Sequence, residues 1–339
     1  MKRVLITGAT GFVGSHALEA MMALDDIELI AACRDRERLL SNFKGEVRVG
    51  NLMDADYRQQ VLDGVDVVIH AMAWTSLWGH AETSHERYLS PTIALIDAAK
   101  DAGVERFINI STTSAAAPEN SQDPMSHGIK RSFWPHLRNV IAIEDHLRRH
   151  ASPGFTAVNM RLGIFAGRRY ALGILPILVP RLKTHLVPWI KGGRTRLPIT
   201  DGRDIGRALA LAATVDGLQG YEGFNIVGPS MPTVREVISL LHTEFGYSLP
   251  HFSVPFSIAY AFAVLNEWLD RLVPWEPLVT RSIVHLLEET GADNGRAERR
   301  LGYVPEFTWD QAVMTQMREM QNSQAPAMKM YRPIDDNYI

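Results

Sequence analysis

The residues best equipped for chemistry stand at the front of the chain, in the stretch MKRVLITGATGFVG from Met1 to Gly14. Val4, Leu5 and Ile6 form an apolar run of buried-strand type, and a helical stretch over 15–24 follows the glycines. Gly8, Gly11 and Gly14 fall where a tight strand-to-helix turn needs residues without a Cβ. Such a turn lets a pyrophosphate approach the backbone of Gly8 and Thr10 through Gly14, Phe12 and Val13 included, with helix N–H groups and the helix dipole facing the anion. A glycine turn with no ligand is the competing reading. The context favours the dinucleotide, because the motif follows a strand and opens a helix at the start of a βαβ pattern.

A second strand, 28–33, runs into Arg34-Asp35-Arg36, about where the adenosine ribose of a dinucleotide lies. Arginine there accommodates the 2′-phosphate of NADP, and an acidic residue accepts the 2′-hydroxyl of NAD. Because Arg34 comes first, NADP is expected, with NAD open through Asp35.

The elements that must position these residues alternate. Predicted strands at 46–49, 65–70, 105–110 and 158–161 are interleaved with helices at 86–102 and 136–150, the pattern of an α/β fold with a doubly wound parallel sheet. Trp74, Leu77 and Trp78 follow the fourth strand, where they either wall an apolar pocket or pack on the sheet rim. The stretch 118–128 is expected to be flexible. Thr233 is a plausible N-cap for an amphipathic helix to Phe245. Most apolar of all is Pro255 to Leu265, too short to span a bilayer and read as a core or dimer helix, with a lipid-facing helix as the alternative.

The totals fit a cytoplasmic globular enzyme. At 339 residues the chain can bury a large core, and a net charge of −3 gives no electrostatic reason to invoke nucleic acid. Cys33 is the single cysteine, so no intrachain disulfide forms. No secretory leader or transmembrane segment is expected. His146 and His150 share a helix face with the spacing a metal site needs. No third ligand is evident nearby, and the expectation is no metal.

The glycine spacing TGxxGxxG resembles the short-chain dehydrogenase/reductase superfamily, in its extended, epimerase/dehydratase-like branch. The resemblance covers about residues 2–318, and its tail, from Glu276-Pro277 to Tyr303-Val304-Pro305, is most similar to the 3β-hydroxysteroid dehydrogenase-like subgroup. It implies a Rossmann domain over 1–170 with returning segments at about 196–228. A smaller, interleaved C-terminal substrate lobe over 171–320 and a tail at 321–339 complete the division. Asp201 to Ala208, and Phe224-Asn225-Ile226-Val227-Gly228, match segments that return to the main sheet. The resemblance further implies that Asn51 and Leu52 contact the adenine and that Ala71 and Ala73 underlie the nicotinamide ribose. It also implies a dimer packed through the helices after strands four and five.

It places the substrate-carbonyl partner at Thr112, with Thr113 as the fallback. The superfamily's Tyr-x-x-x-Lys pair is missing between Thr112 and Phe155. Aligning on Glu144 puts His136 at the Tyr position and Val140 at the Lys position, with Tyr88 in place of a helix asparagine. A second register gives Trp134 and Arg138, whose guanidinium replaces the lysine charge on the cofactor. Three readings stand open: His136 as general acid/base, a proton from elsewhere in the pocket, or a nucleotide-binding protein without turnover. The activity implied is NADP(H)-dependent carbonyl/alcohol oxidoreduction on a fairly apolar small molecule. A sugar-nucleotide epimerase or dehydratase is the remaining alternative.

Overall fold

A computed structural model describes residues 1–169, 173–270, 277 and 279–322. Nearly all of the expected tail lies outside them, as do Glu276 and Leu278. The first half comprises β1 (Lys2–Thr7), α1 (Phe12–Met21), β2 (Ile27–Cys33), β3 (Glu46–Val49), α2 (Ala55–Gln60), β4 (Val67–His70), α3 (Ala81–Ser84), α4 (Ser90–Asp101), β5 (Arg106–Thr112), α5 (Pro135–His150) and β6 (Thr156–Leu162). There follow β7 (Ile164–Ala166), α6 (Ile174–Leu182), β8 (Trp189–Ile190), β9 (Ile199–Asp201), α7 (Gly202–Thr214) and β10 (Tyr221–Ile226). The chain then runs through α8 (Val234–Phe245), β11 (Ser253–Val254), α9 (Phe256–Leu269), α10 (Arg281–His285), α11 (Gly295–Leu301) and α12 (Trp309–Asn322).

Seven strands make one parallel sheet in the order β10-β6-β5-β4-β1-β2-β3. Alternation along β1 shows why both faces are covered. Val4 and Ile6 enter the core beneath α1 and α7, while Leu5 enters the core beneath α4 and α5. The strand order reverses between β1 and β4, and the crevice at their carboxyl ends is where such sheets bind ligands. β10 returns to the sheet edge beside β6, so the chain does interleave. A smaller core built from α6, α8 and α12 gathers Leu175, Val179, Ile238, Leu241, Val313 and Met317. As expected, Thr233 caps α8, in a reciprocal capping box with Glu236.

Three expectations are corrected. The helix after β4 starts earlier, at Ala81, and passes through a π turn at His85–Leu89 before α4. Pro91 lacks the N–H that would close an α turn onto Arg87, and the ladder widens there. The stretch 118–128, expected to be flexible from its polar composition, is pinned by distant partners. Asn225 Nδ2 and Gly291 N donate to the Ser121 carbonyl and hydroxyl at 2.8 Å each, and Arg161 holds the Ser126 carbonyl at 2.7 Å. The apolar segment at 255–265 extends into α9, which packs inward through Ala259, Ala263 and Glu267 while Ile258, Phe262, Leu265 and Trp268 are more than half exposed. Among the described residues, no helix is long and apolar enough to cross a membrane.

Candidate active site

The glycine turn joins the two halves of the crevice. Gly8 has φ +65°, and a Cβ there would stand 2.7 Å from the Ala71 carbonyl and the Met72 nitrogen. A Cβ on Gly14 would stand 2.2 Å from the Gly8 oxygen. Gly11 N–H donates to that same oxygen at 2.9 Å, and Gly11 is the N-cap of α1 with no side-chain cap, leaving first-turn N–H groups for an anion. Gly11 is exposed, Thr10 and Phe12 are half-buried, and Val13 is sunk in the core. With Gly11 N–H spent on Gly8, a diphosphate would be met by backbone N–H groups of the first turn of α1, Val13 and Gly14 among them. Ala71 lies against Gly8, and Ala73 is exposed just beyond it.

At the end of β2 the carboxylate of Asp35 accepts from Glu37 N–H at 2.9 Å, capping the short 3₁₀ turn Arg36–Arg38. Arg34 is exposed. Partial burial, and next the charge of Arg38, hold its pKa below the usual guanidinium value. Arg38, four residues on, brings a second guanidinium charge within reach of Arg34. The amide oxygen of Asn51, expected on the adenine, accepts from Met53 N–H at 3.0 Å, and Leu52 is buried.

Thr112 ends β5, its hydroxyl oxygen accepting from Ser114 N–H at 3.2 Å, which leaves the hydroxyl proton to donate. His136 lies in the first turn of α5. Its ring packs 5.1 Å from that of Tyr88, and its Nδ1 is buried with no hydrogen-bond partner. Burial pushes its pKa down to about 4, so the imidazole is neutral at pH 7. Val140, one turn further, is buried in the same core as Tyr88 and Trp74. No hydrogen bond joins Thr112 to His136 among the described residues. The second register separates: Trp134 is buried and donates from Nε1 to the Ser76 carbonyl at 2.8 Å, while Arg138 is exposed about 200° around α5 from His136. Tyr88, read in the sequence only as a replaced asparagine, is the neighbour that sequence reasoning missed.

A buried polar network fixes α5 on the sheet. Glu144 Oε1 accepts from Ser111 Oγ at 2.5 Å, from Asn159 Nδ2 at 2.9 Å and from Arg161 Nε at 3.0 Å; Oε2 accepts from Arg161 Nη2 at 2.6 Å. Asn109 Nδ2 donates to Asn159 at 2.8 Å across the β5–β6 register. Strand alternation puts Asn109 and Ser111, and Asn159 and Arg161, on one face, and Glu144 meets them two turns below His136. Under the turn, His70 bridges Thr7 Oγ1 at 2.8 Å and Thr92 Oγ1 at 3.1 Å, and burial pushes its pKa down to about 4.

Of the three loop residues after β4, Trp74 is a core residue, Leu77 packs beside Trp134, and Trp78 Nε1 donates to Asp270 at 3.1 Å, tying the loop to the end of α9. A cleft of about 470 Å³ opens between the loop after β5 and the smaller lobe, lined by Glu119, Ile129, Arg131, Lys191, Phe256 and Glu288. Its lining does not include Thr112 or His136. One expectation about the histidines also changes: α4 brings Asp97 to 2.6 Å from His146 Nε2, a third potential ligand that no local spacing reveals.

Similar proteins cover nearly the whole chain. A 4-hydroxy-2-methyl-3-oxo-4-farnesyl-3,4-dihydroquinoline-1-oxide ketoreductase from Stigmatella aurantiaca is 26% identical over 318 residues, 92% of this chain and 94% of the relative. Sterol demethylase protein B of Methylococcus capsulatus is 25% identical over 320 residues, 90% of this chain and 94% of the relative. Among solved structures, DesIV, a dTDP-glucose 4,6-dehydratase from Streptomyces venezuelae with NAD and TYD bound, superposes with a TM-score of 0.70 at 21% identity, covering 95% of this chain and 97% of that one. The model of the NAD dependent epimerase/dehydratase family matches residues 4–227, and the chain belongs to that family.

Proposed function

We propose that this protein is an NADP(H)-dependent oxidoreductase that interconverts a carbonyl and an alcohol on a fairly apolar small molecule. The observation that carries the reading is His136, a neutral imidazole with an unpartnered buried nitrogen in the first turn of α5, which the register on Glu144 aligns with the superfamily's tyrosine. The cofactor, when bound, supplies or accepts the hydride. Thr112 donates a hydrogen bond from its hydroxyl to the substrate oxygen and keeps its proton. His136 acts as a neutral donor that polarises the carbonyl rather than as an imidazolium; in the reducing direction a water gives the oxygen its proton and leaves as hydroxide, and alcohol oxidation runs the reverse.

Arg34 and Arg38, two cations beside the adenosine end of the crevice, support NADP, and the engagement of Asp35 in its own turn supports it further. The apolar substrate is supported by the names of two relatives, one carrying a farnesyl group and one a sterol. The expected homodimer, through the flanks of α4 and α5, is part of the same proposal and is checked by sedimentation.

The test is paired. NADPH and NADH are titrated into the purified chain, and NADPH oxidation is followed with a panel of apolar ketones. Tighter NADPH binding, ketone-dependent oxidation, and a loss of the NADPH preference of about tenfold or more in Arg34→Ala support the reading. Val140 in the lysine position favours a second reading, a nucleotide-binding protein without turnover. Tight binding with no oxidation of any carbonyl, or epimerisation of a sugar nucleotide, overturns the oxidoreductase.

A further inference from the structure

We infer a divalent transition-metal site, of zinc type, at Asp97, His146 and His150 in the groove between α4 and α5. Three ligand atoms, one from each residue, lie within 4.8 Å of one another. His146 Nε2 is 2.6 Å and His150 Nε2 is 3.9 Å from Asp97 Oδ1, and the two imidazoles stack with centroids 3.9 Å apart. Two imidazoles and one carboxylate are the donors that zinc takes at about 2.0–2.2 Å, so ligand atoms in a tetrahedron stand a little over 3 Å apart. The three present atoms bracket that spacing, and small rotations of the side chains bring them to it.

The surroundings already orient the ligands. His150 Nδ1 donates to the His146 carbonyl at 2.9 Å, which places the lone pair of His150 on Nε2, the atom facing Asp97. Lys100, on the same helix as Asp97, spends its ammonium on the His150 carbonyl at 3.0 Å, tying α4 to the last residue of α5. His146 is buried, whereas Asp97 and His150 are half-exposed, so an ion can enter from solvent and keep a water in its fourth position. The donor set favours zinc, copper or nickel over calcium or magnesium, which take oxygen ligands.

The site is separate from the crevice. α4 ends at Asp101, before β5 begins at Arg106, and α5 ends at His150, before β6 begins at Thr156. The last turns of both helices therefore lie at the amino edge of the parallel sheet, opposite the edge that carries the glycine turn and Thr112. Bound there, the ion clips together the two helices whose other ends bring Tyr88 and His136 into contact.

The experiment uses the full chain stripped with a chelator. Zinc is titrated by calorimetry, cobalt by its visible absorption, and thermal unfolding is followed with and without zinc. The expected result is one zinc per chain, a cobalt spectrum of nitrogen and oxygen ligation, and a rise of several degrees in the unfolding midpoint. His150→Gln and Asp97→Asn should each weaken zinc binding by about tenfold or more and erase the thermal shift. His150 is half-exposed at a helix end, so its variant keeps the fold, which far-UV dichroism verifies. An absence of saturable binding, or binding and thermal shift unchanged in His150→Gln, overturns the site and leaves Asp97 and His146 as an ordinary hydrogen-bonded pair.

Discussion

Tyr88 and His136, 48 positions apart in the sequence, meet ring to ring at 5.1 Å with their planes tilted by 43°. The contact brings a phenol from the π turn against the first turn of α5. Two consequences separate. If His136 is the polar group presented to substrate, His136→Ala should lower turnover by about 100-fold or more while changing the nucleotide dissociation constant less than about twofold. Tyr88→Phe keeps the ring packing and should leave turnover within a few-fold. Steady-state rates beside nucleotide titrations check both, and equal rates in His136→Ala would remove the residue from the reaction.

Gly14→Ala should abolish nucleotide binding. Its Cβ would sit 2.2 Å from a backbone oxygen that cannot swing aside, so the turn must open to admit it. Gly11→Ala, where the same oxygen is 3.3 Å away and the residue is exposed, should be milder. Nucleotide titration and thermal unfolding of the two variants rank them.

Glu144 and Arg161 are both buried, and each satisfies the other. Glu144→Ala strands a buried guanidinium beside Asn159 and Ser111 and should cost about 3–5 kcal/mol in urea unfolding. Replacing both, by Glu144→Leu with Arg161→Met, removes the uncompensated charge and should recover much of that loss. A double variant as unstable as the single would show that the network, rather than the stranded charge, sets the cost.

Acid should weaken the fold through its buried imidazoles. His16, His70 and His136 are all held down to about 4 by burial, against 6.5 when exposed. Above pH 6.5 neither state is protonated and nothing is lost. Between pH 6.5 and 4 the unfolded chain takes up protons that the folded chain refuses, so each histidine removes up to about 1.4 kcal/mol per pH unit, and the loss levels off below pH 4. Unfolding midpoints in urea at pH 7.5, 6.0 and 5.0 measure the slope. His70→Gln should flatten it by one histidine's share.

Local signals carried most of the architecture. The apolar run at Val4–Ile6 and the glycines behind it mark a strand, a turn and a helix because each depends on neighbours in sequence. Thr233 and Glu236 likewise announce a helix start. What could not be read locally depends on pairs far apart. Asp97 reaches His146 only because α4 and α5 lie side by side, and Ser121 is fixed by Asn225 and Gly291 across more than a hundred residues. Trp74 could be read equally as a pocket wall or as packing on the sheet, and only the fold shows it buried in the core. In the site itself, the helix that carries Glu144 was legible from the resemblance, whereas its partners Arg161, Asn159 and Ser111 come from β5 and β6 and share no local spacing with it. Tyr88 was not legible either, because a residue in a π turn points off the 3.6-residue period by which helix faces are assigned.

That wide turn has an evolutionary meaning as well. A π turn holds one residue more than the helix around it requires, so losing Leu89 would let the ladder close with ordinary spacing and rotate everything before it by about 100° relative to α4. Tyr88 would swing away from His136 in a single event. A lineage can thus acquire or discard this contact by one in-frame codon insertion or deletion, without passing through a series of substitutions, and gaps at this point should divide the relatives that keep a tyrosine on the helix after β5 from those that do not.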